Sequence, residues 1–383
     1  MTHKHPATVA ALTTLSPYQS ADTYPLTLAN KSSVLKLDCN EATVEPSPVV
    51  VSALQHFVQT HPLHWYPDVE SQALREALTG YTDLPYDSIQ TFNGCDNALE
   101  YITRTYLDTG DEVVIAAPTY DNFRVYAHSC GAKIVPVLGE NPFDKKLNRL
   151  VEAITPRTKM LYLVNPNNPT GTLYTLEEIK ILLDALPQGV VLIDEAYFEF
   201  CGQTAAPLVR QYPNLFVTRS FSKAFGLAGL RCGYILSQPE NIQEINKIRV
   251  GKNINALAQF SAITALSELA YTRAKIVEMR ETETWLAEAL SDFSLEVVTT
   301  PANFMMIRVA HPEAVQHQLK KYDIFVRDRS YLPQLEGFLR ITVGPREIME
   351  RFVETWTKLP THLLWDADRP ATVATLSLST QER

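Results

Sequence analysis

The sequence predicts an α/β fold, in which helices cover both faces of a mostly parallel central sheet, together with a smaller α+β domain. Several short apolar runs are continuous rather than alternating, which is typical of strands buried on both faces. Segments with apolar residues at helical spacing separate these runs, and this alternation favours a parallel sheet. After about residue 240 the pattern changes to a long helical stretch followed by short strands and helices, which indicates a second, smaller domain.

Six apolar runs form the predicted central sheet. They lie, in chain order, at residues 112–118, 133–138, 159–165, 189–196, 214–220 and 232–237. Before the first run, residues 49–60 and 69–80 carry apolar side chains at the spacing of an amphipathic helix. Beyond the last run, residues 256–291 predict one long helix. The strands predicted after this helix lie at 303–309, 323–328 and 338–344.

These elements divide the chain into four expected parts. They are an N-terminal arm at 1–40, a large α/β domain at 41–285, a small α+β domain at 286–360 and a tail at 361–383. The arm and the tail are polar and weakly periodic, as loosely attached termini often are.

The composition of the 383 residues excludes several classes of protein. Lys and Arg number 34 and Asp and Glu number 43, so the formal net charge is −9, whereas a nucleic-acid-binding protein usually carries a basic face. No apolar run reaches the roughly 18 residues of a transmembrane helix, and the first residues lack the apolar core of a signal peptide. We therefore expect a cytoplasmic protein with neither a nucleic-acid partner nor a membrane partner. Five scattered cysteines without a C-x-x-C pair indicate reduced thiols rather than disulfides or zinc, so we expect no metal.

Polar residues lie where three of the predicted strands end. Asn168, Asp194 and Lys223 each lie at or just beyond the end of an apolar run. In open α/β sheets, ligands bind beyond the carboxyl ends of the strands. Because parallel strands end at the same edge of a sheet, we expect these three side chains to line one site.

Lys223 lies in the segment SFSKAFGLAGLR, among small, hydroxyl-bearing and apolar residues. A lysine removed from water has a lowered pKa and can attack an aldehyde as a nucleophile. Ser220, Ser222 and Arg231 can donate hydrogen bonds to a phosphate group, the arginine through two parallel bonds. A solvated lysine, with serines that form a turn or a helix cap, is the alternative interpretation.

Asp194 ends an apolar strand, where a carboxylate is costly unless it is paired. A protonated pyridine nitrogen would pair it, whereas a metal would need more ligands than Asp194 and Glu195 offer. Tyr197 and Asn168 can hydrogen-bond the hydroxyl group of such a ring. The segment NPNNPTG around Asn168 would equally suit a plain turn.

The segment FNGCDNALE at 92–100 predicts a glycine turn that opens a helix at Asp96 or Asn97. The backbone N–H groups and the positive end of that helix would bind an anion, unless the helix is merely capped. Tyr120 follows another strand end, and its ring can stack on a planar cofactor or pack in the core.

Taken together and in this order, the segments NPNNPTG, DEAY, SFSKAFGLAGLR and LRITVG resemble the fold-type I pyridoxal phosphate (PLP) enzymes, and among them the histidinol-phosphate aminotransferase family. The resemblance covers residues 15–358 and implies the PLP-dependent transferase fold, pyridoxal 5'-phosphate as cofactor and a homodimer with shared active sites. The catalytic residues that it implies are Lys223, which binds the cofactor covalently and carries protons, with Asp194 and Tyr197. The cofactor-binding residues that it implies are Cys95, Asp96, Tyr120, Asn168, Asp194, Tyr197, Ser220, Ser222, Lys223 and Arg231, with Tyr66 supplied from the partner subunit.

The resemblance also implies how a small anionic substrate is held. Arg340 in LRITVG matches the arginine that binds the anionic group of the substrate, and Arg327 in FVRD matches a second one. Lys252 stands where the family has an aromatic hydroxyl. The other substrate-side residues that the resemblance implies are Tyr18, Asn40 and Glu41. The implied reaction transfers an amino group from glutamate to imidazole acetol phosphate, which gives histidinol phosphate and 2-oxoglutarate in histidine biosynthesis.

Three departures from the family lie on the substrate side: residues 42–45 read ATVE, residues 251–252 read GK, and residue 22 is aspartate. An additional acid/base group at Lys252 would allow an alternative, a PLP-dependent lyase or cyclase acting on a basic, hydroxylated amino acid such as a hydroxyarginine. In that case Arg340 would bind the α-carboxylate. A PLP-binding regulator would need a DNA-binding module, and the sequence shows no helix-turn-helix appendage.

Overall fold

The computed structural model describes residues 7–13, 15–18, 33–291, 293 and 295–364, together with the backbone of 373–375. The strands within this part are, in chain order, β1 (Leu35–Lys36), β2 (Ile89–Phe92), β3 (Glu112–Ala116), β4 (Lys133–Val137), β5 (Thr158–Val164), β6 (Val190–Asp194), β7 (Leu215–Ser220), β8 (Gly233–Leu236), β9 (Glu296–Thr299), β10 (Phe304–Arg308), β11 (Ile324–Phe325), β12 (Arg327–Asp328), β13 (Phe338–Thr342) and β14 (Val373–Thr375).

The α-helices of the described part are α1 (Pro48–Thr60), α2 (Gln72–Thr82), α3 (Cys95–Tyr106), α4 (Asn122–Ser129), α5 (Leu147–Glu152), α6 (Leu176–Ala185), α7 (Phe198–Cys201), α8 (Pro239–Asn246), α9 (Ala256–Ser267), α10 (Leu269–Ser291), α11 (Pro312–Lys320), α12 (Arg346–Trp356) and α13 (Thr361–Leu364). Short 3-10 helices lie at Ala10–Leu12, Tyr86–Ser88, Ala206–Arg210 and Ala228–Leu230. None of the described helices has both the length and the apolar character needed to cross a membrane.

The seven strands of the central sheet lie in the order β2-β8-β7-β6-β5-β3-β4. The strands from β3 to β7 are parallel, and β8 is antiparallel to both β7 and β2. All six predicted runs are therefore strands of one sheet, and the predicted α/β class with a mostly parallel sheet is confirmed. The sequence pattern missed β2, because Gln90 and Thr91 interrupt its apolar residues.

Both faces of the central sheet are buried. In β5, Leu161 and Leu163 pack on one face with residues of α2, α6 and α9, whereas Met160 and Tyr162 pack on the other face with residues of α3 and α4. Successive side chains of a strand point to opposite faces, so a strand covered on both sides needs apolar residues at every position. Burying each such side chain stabilises the fold by roughly 1.5–3 kcal/mol, and this explains why the runs are continuous.

A second sheet has the order β12-β13-β10-β9-β14, and its apolar face packs with α10, α11 and α12. A separate two-stranded sheet pairs β1 in parallel with β11, which ties the segment before α1 to this half of the molecule. The expected boundary between residues 285 and 286 falls inside α10, and the division into four parts stays a prediction. Of the expected tail, the structure describes α13 and β14.

Two predicted elements differ from the structure. The single helix expected at 256–291 is divided into α9 and α10 at Glu268, whose carboxylate accepts a hydrogen bond from Ser47 Oγ at 3.1 Å. The strand expected at 323–328 is also divided, because β11 pairs with β1 whereas β12 pairs with β13. At both places the structure has contacts with residues distant in sequence, which local periodicity does not contain.

Candidate active site

An open cleft with an empty volume of about 1270 Å³ lies beyond the carboxyl ends of β5, β6 and β7, facing the second sheet. The strand-end residues Asn168, Asp194 and Lys223 converge on it, as the geometry of a parallel sheet predicts. Most of the predicted site residues line this cleft. They are Tyr18, Glu41, Cys95, Asp96, Tyr120, Asn168, Asp194, Tyr197, Ser220, Ser222, Lys223, Arg231, Arg327 and Arg340.

Lys223 follows β7 and is half-buried. Its Nζ donates a hydrogen bond to the backbone oxygen of Cys39 at 2.7 Å. Burial, and after it the positive charge of Arg340, lower the pKa of Lys223 to about 8. At neutral pH a larger fraction of this amine is uncharged than in an exposed lysine, as a nucleophile requires.

Asp194 ends β6 and is buried. Its carboxylate accepts hydrogen bonds from Tyr162 Oη and from the Ala196 amide, both at 3.1 Å, and Cys95 Sγ lies 3.4 Å away. Burial raises the pKa of Asp194 to about 6, and no cationic side chain among the described residues forms an ion pair with it. The site therefore offers a buried carboxylate to a cationic group of a ligand.

The turn before α3 forms a cradle for an anion. Gly94 has a φ angle of +83°, and a Cβ atom there would lie 2.5 Å from Arg231 Nη2. Arg231 Nη1 lies 3.4 Å from Ser222 Oγ, and Arg231 Nη2 lies 3.6 Å from Asp96 Oδ2. The Ser222 amide donates to Ser220 Oγ at 3.0 Å. A helix N-terminus, a guanidinium and two hydroxyls thus meet at one place, which suits a phosphate group.

Two tyrosines in the cleft are held by hydrogen bonds. Asn40 Nδ2 donates to Tyr197 Oη at 3.0 Å, so Asn40, which does not line the cleft, supports Tyr197 from behind. Tyr120 Oη donates to Asp96 Oδ1 at 2.8 Å, which fixes this ring beside the anion cradle. Burial raises the pKa of both tyrosines, so both phenols stay protonated at neutral pH.

Three arginines, Arg327, Arg329 and Arg340, line the side of the cleft that the second sheet forms. Arg340 Nη1 donates to Asn168 Oδ1 at 2.6 Å, and its Nη2 donates to the backbone oxygen of Asp38. The sequence reasoning missed Arg329. The available signal was its position two residues after Arg327 in FVRDRS, since such residues share one face of an extended chain.

Two carboxylates at the cleft lie beside a lysine. Lys36 Nζ lies 3.1 Å from Asp38 Oδ1 and also contacts Glu41 Oε2. Burial lowers the pKa of Lys36, but the neighbouring negative groups, Asp38 first among them, raise it by more, so that the pKa lies above its usual value. Lys36 thus neutralises part of the negative charge of Asp38 and Glu41. These two carboxylates therefore do not cancel the positive field of the arginines.

Tyr66 and Lys252 lie together, outside this cleft. Lys252 Nζ is 3.5 Å from the centre of the Tyr66 ring, and Tyr66 is 77 % exposed. The structure brings neither residue into the cleft of its own chain, and their predicted roles stay predictions. Position 22, the third departure from the family pattern, lies outside the described residues.

The groups in the cleft fit pyridoxal phosphate: Lys223 for its aldehyde, Asp194 for its pyridine nitrogen and the cradle of Gly94 and Arg231 for its phosphate. Together with the sheet order, they define a PLP-dependent aminotransferase of fold type I. The chain belongs to the aminotransferase class I and II family, whose sequence profile matches residues 32–355.

Relatives and solved structures agree with this assignment. The chain is 37 % identical over 346 residues to a dihydroxyacetone phosphate transaminase of Campylobacter jejuni, and this alignment covers 89 % of this chain and 94 % of the relative. It is 36 % identical over 332 residues to a histidinol-phosphate aminotransferase of Methanococcoides burtonii, over 86 % of this chain and 91 % of the relative. The crystal structure of histidinol-phosphate aminotransferase from Sinorhizobium meliloti with pyridoxal-5'-phosphate matches with a TM-score of 0.81 and 24 % identity, over 92 % of this chain and 98 % of that chain. The predicted fold class, cofactor and aminotransferase activity are confirmed.

Proposed function

We propose that this aminotransferase exchanges an amino group between glutamate and a phosphate ester whose three-carbon chain has a ketone at its central carbon. Imidazole acetol phosphate, which gives histidinol phosphate, and dihydroxyacetone phosphate both have this form, and the names of the relatives point to these compounds. The observation that carries the proposal is that Lys223 shares one cleft with Arg327, Arg329 and Arg340. A phosphate ester carries nearly two negative charges at neutral pH, and guanidinium groups bind it well.

PLP supplies an aldehyde and an electron-accepting ring when it is bound. Lys223 would provide the amine for the aldehyde and then take the proton from the substrate carbon that bears the amino group. Asp194 would hold the ring nitrogen protonated, and Tyr197 and Asn168 would hydrogen-bond the ring hydroxyl. Tyr120 would stack on the ring. The residues proposed to hold the cofactor phosphate are Cys95 and Asp96 through their backbone, with Ser220, Ser222 and Arg231.

We further propose a homodimer in which each subunit completes the site of its partner. Leu63, Trp65 and Tyr66 are exposed, and so is Val250, two residues before Lys252. Exposed apolar patches of this kind mark protein interfaces. In such a dimer Tyr66 would reach the cofactor phosphate of the partner subunit, and Lys252, in contact with the Tyr66 ring, would extend toward the partner's substrate.

We infer a cytoplasmic location and a role in amino-acid biosynthesis, with histidine biosynthesis as the first pathway to test. All five cysteines are free, which supports a reducing compartment. The alternative of a lyase or cyclase depended on Lys252 as an extra acid/base group. Because Lys252 lies outside the cleft of its own chain, it would act in the proposed dimer only at the site of the partner subunit, and the experiment below distinguishes the two reactions.

The spectrum of the cofactor tests the proposed reaction. Glutamate is expected to convert the yellow holoenzyme to its pyridoxamine form, with loss of visible absorbance, and imidazole acetol phosphate or dihydroxyacetone phosphate is expected to restore it. An unchanged spectrum with glutamate, together with release of water or ammonia from a hydroxylated basic amino acid, would replace the proposal with the lyase or cyclase. Complementation of a histidine auxotroph then separates the two phosphate esters as physiological substrates.

A further inference from the structure

Arg329 is a buried arginine that leaves most of its hydrogen-bonding capacity unused. It is 2 % exposed and lines the cleft. Within the described residues its side chain donates one hydrogen bond, from Nη1 to Tyr331 Oη at 2.8 Å, and its buried Nε has no acceptor. A guanidinium has five N–H donors, and burying donors without acceptors costs free energy.

The charge of Arg329 is also uncompensated. Among the described residues, no acidic side chain forms an ion pair with it, and the charged groups around it include Arg340 and Arg327. Burial, and next the charge of Arg340, lower the pKa of Arg329 to about 10, so that it remains charged at neutral pH. Arg219, an arginine that is equally buried, instead has Glu195 Oε2 at 2.9 Å from its Nε. A buried, unpaired charge destabilises the folded protein, which indicates that a ligand supplies the missing anion.

The strands place the three arginines on one surface. Arg327 in β12 lies directly opposite Arg340 in β13, and Arg329 follows Arg327 by two residues. Arg340 Nε, like Arg329 Nε, is buried without an acceptor. Tyr331 Oη accepts a hydrogen bond from Arg329 Nη1 at 2.8 Å, which orients this guanidinium. The three guanidiniums therefore form one cluster beside the cleft, in which Arg329 has no ion-pair partner among the described residues.

We infer that Arg329 is a specificity-determining residue, which selects substrates with a phosphate ester over substrates with a carboxylate in the same place. The inference rests on the proposed function and deepens it, because it names the group that the third arginine recognises. A phosphate monoester has three terminal oxygens and roughly −1.5 to −2 charges near neutral pH. A carboxylate has two oxygens and one charge, so it needs fewer guanidinium donors than a phosphate ester.

The variant Arg329→Gln tests the inference in the holoenzyme. The varied substrate is dihydroxyacetone phosphate or imidazole acetol phosphate, whichever the wild-type enzyme converts. We expect kcat/KM for the phosphate ester to fall roughly 10- to 100-fold, mainly through KM, because charge-assisted hydrogen bonds are lost. The half-reaction with glutamate is expected to keep its rate, and inorganic phosphate is expected to become a much weaker competitive inhibitor.

Two further variants control this measurement. Arg308→Gln removes an arginine of the second sheet that pairs with Glu296 at 3.3 Å and does not line the cleft, so its KM is expected to be unchanged. Arg329→Lys keeps the charge without the planar fork and is expected to recover part of the affinity for the phosphate ester. An unchanged KM in Arg329→Gln, or an equal loss for glutamate and the phosphate ester, would overturn the inference.

Thermal unfolding separates binding from a purely structural role. Without added phosphate, the Tm of the Arg329→Gln holoenzyme is expected to match or exceed that of the wild type, because an uncompensated charge is removed. Inorganic phosphate is expected to raise the Tm of the wild type more than that of the variant. A lowered Tm with no loss of this phosphate effect would show that Arg329 only holds Tyr331. If the wild type converts neither phosphate ester, the proposed function fails, whereas an Arg329-dependent phosphate effect would still support a phosphate-binding cluster.

Discussion

The two sides of the cleft differ in how far short sequence motifs specify their residues. On the cofactor side, the groups lie at the ends of adjoining strands and at the start of α3, and Ser222 bonds Ser220 two residues away. On the substrate side, the backbone N–H of Asn40 donates a hydrogen bond to Thr342 Oγ1, 302 residues further along the chain. The cofactor-side residues thus lie in short motifs that can be recognised one at a time, although contacts such as that between Arg231 and Asp96 join motifs distant in sequence. The substrate-side arrangement is apparent only once strands distant in sequence have paired.

Lys223→Ala would break the cofactor side most completely. Amino transfer is expected to fall by roughly 10⁴-fold or more, because the nucleophile and the base are lost together. Borohydride treatment followed by mass spectrometry should attach the cofactor to the wild type and not to the variant. Lys247→Ala, an exposed lysine paired with Glu244, serves as the control. A trappable imine in Lys223→Ala would refute the assignment of the nucleophile.

Asp194→Asn should lower the rate of catalysis while the cofactor side still binds PLP. The amide keeps the size of the carboxylate but cannot hold a protonated ring nitrogen, so kcat is expected to fall roughly 10²- to 10³-fold. Tyr162→Phe removes only one hydrogen bond to Asp194 and is expected to cost less than a tenth of that effect. Steady-state kinetics with saturating PLP measures both, and equal activity in wild type and Asp194→Asn would remove Asp194 from the mechanism.

Gly94→Ala tests the phosphate cradle. The new Cβ would lie 2.5 Å from Arg231 Nη2, at a φ of +83° that disfavours alanine, so the Kd for PLP is expected to rise roughly tenfold. Gly80→Ala is the matched control, since it lies within α2 and nothing would contact its Cβ within 4 Å. It is expected to leave the Kd unchanged and to stabilise the protein by about 0.5–1 kcal/mol. Fluorescence titration of the apoenzymes gives the comparison, and an unaltered Kd in Gly94→Ala would argue against the cradle.

The smallest expected effect is that of Arg340, on the substrate side, on the pKa of Lys223, on the cofactor side. Only uncharged Lys223 attacks the aldehyde, so the rate at which apoenzyme and PLP recombine should rise with pH, with its midpoint at about 8. The charge of Arg340 lowers the pKa of Lys223, and Arg340→Gln should therefore raise that pKa and move the midpoint to higher pH. Stopped-flow absorbance over this pH range measures it. A midpoint that stays in place would show that the substrate side does not influence the lysine.

The sequence allowed the central sheet and the cofactor side to be predicted because both depend on local patterns. The run at 189–196 is apolar since β6 is covered on both faces, and Asp194 stood out as a charge at its end. Arg329, by contrast, comes near Arg340 only because β12, which ends just before it, pairs with β13, and Glu268 at the break between α9 and α10 is hydrogen-bonded to the distant Ser47. Such pairings are tertiary, and a single sequence does not display them. Tyr66 and Lys252 were predicted from family resemblance alone.

Residues 35–41 leave the ribosome long before the strands that hold them. β1 pairs with β11, the Asp38 carbonyl accepts a hydrogen bond from Arg340, and the backbone N–H of Asn40 donates to Thr342, so each of these contacts requires a later part of the chain. The hydrogen bond from Lys223 Nζ to the Cys39 oxygen likewise joins residues that are far apart in the chain. Contacts this distant in sequence form late in folding. We therefore expect only nearly full-length chains to bind the vitamin-derived cofactor and truncated products of interrupted translation to remain colourless.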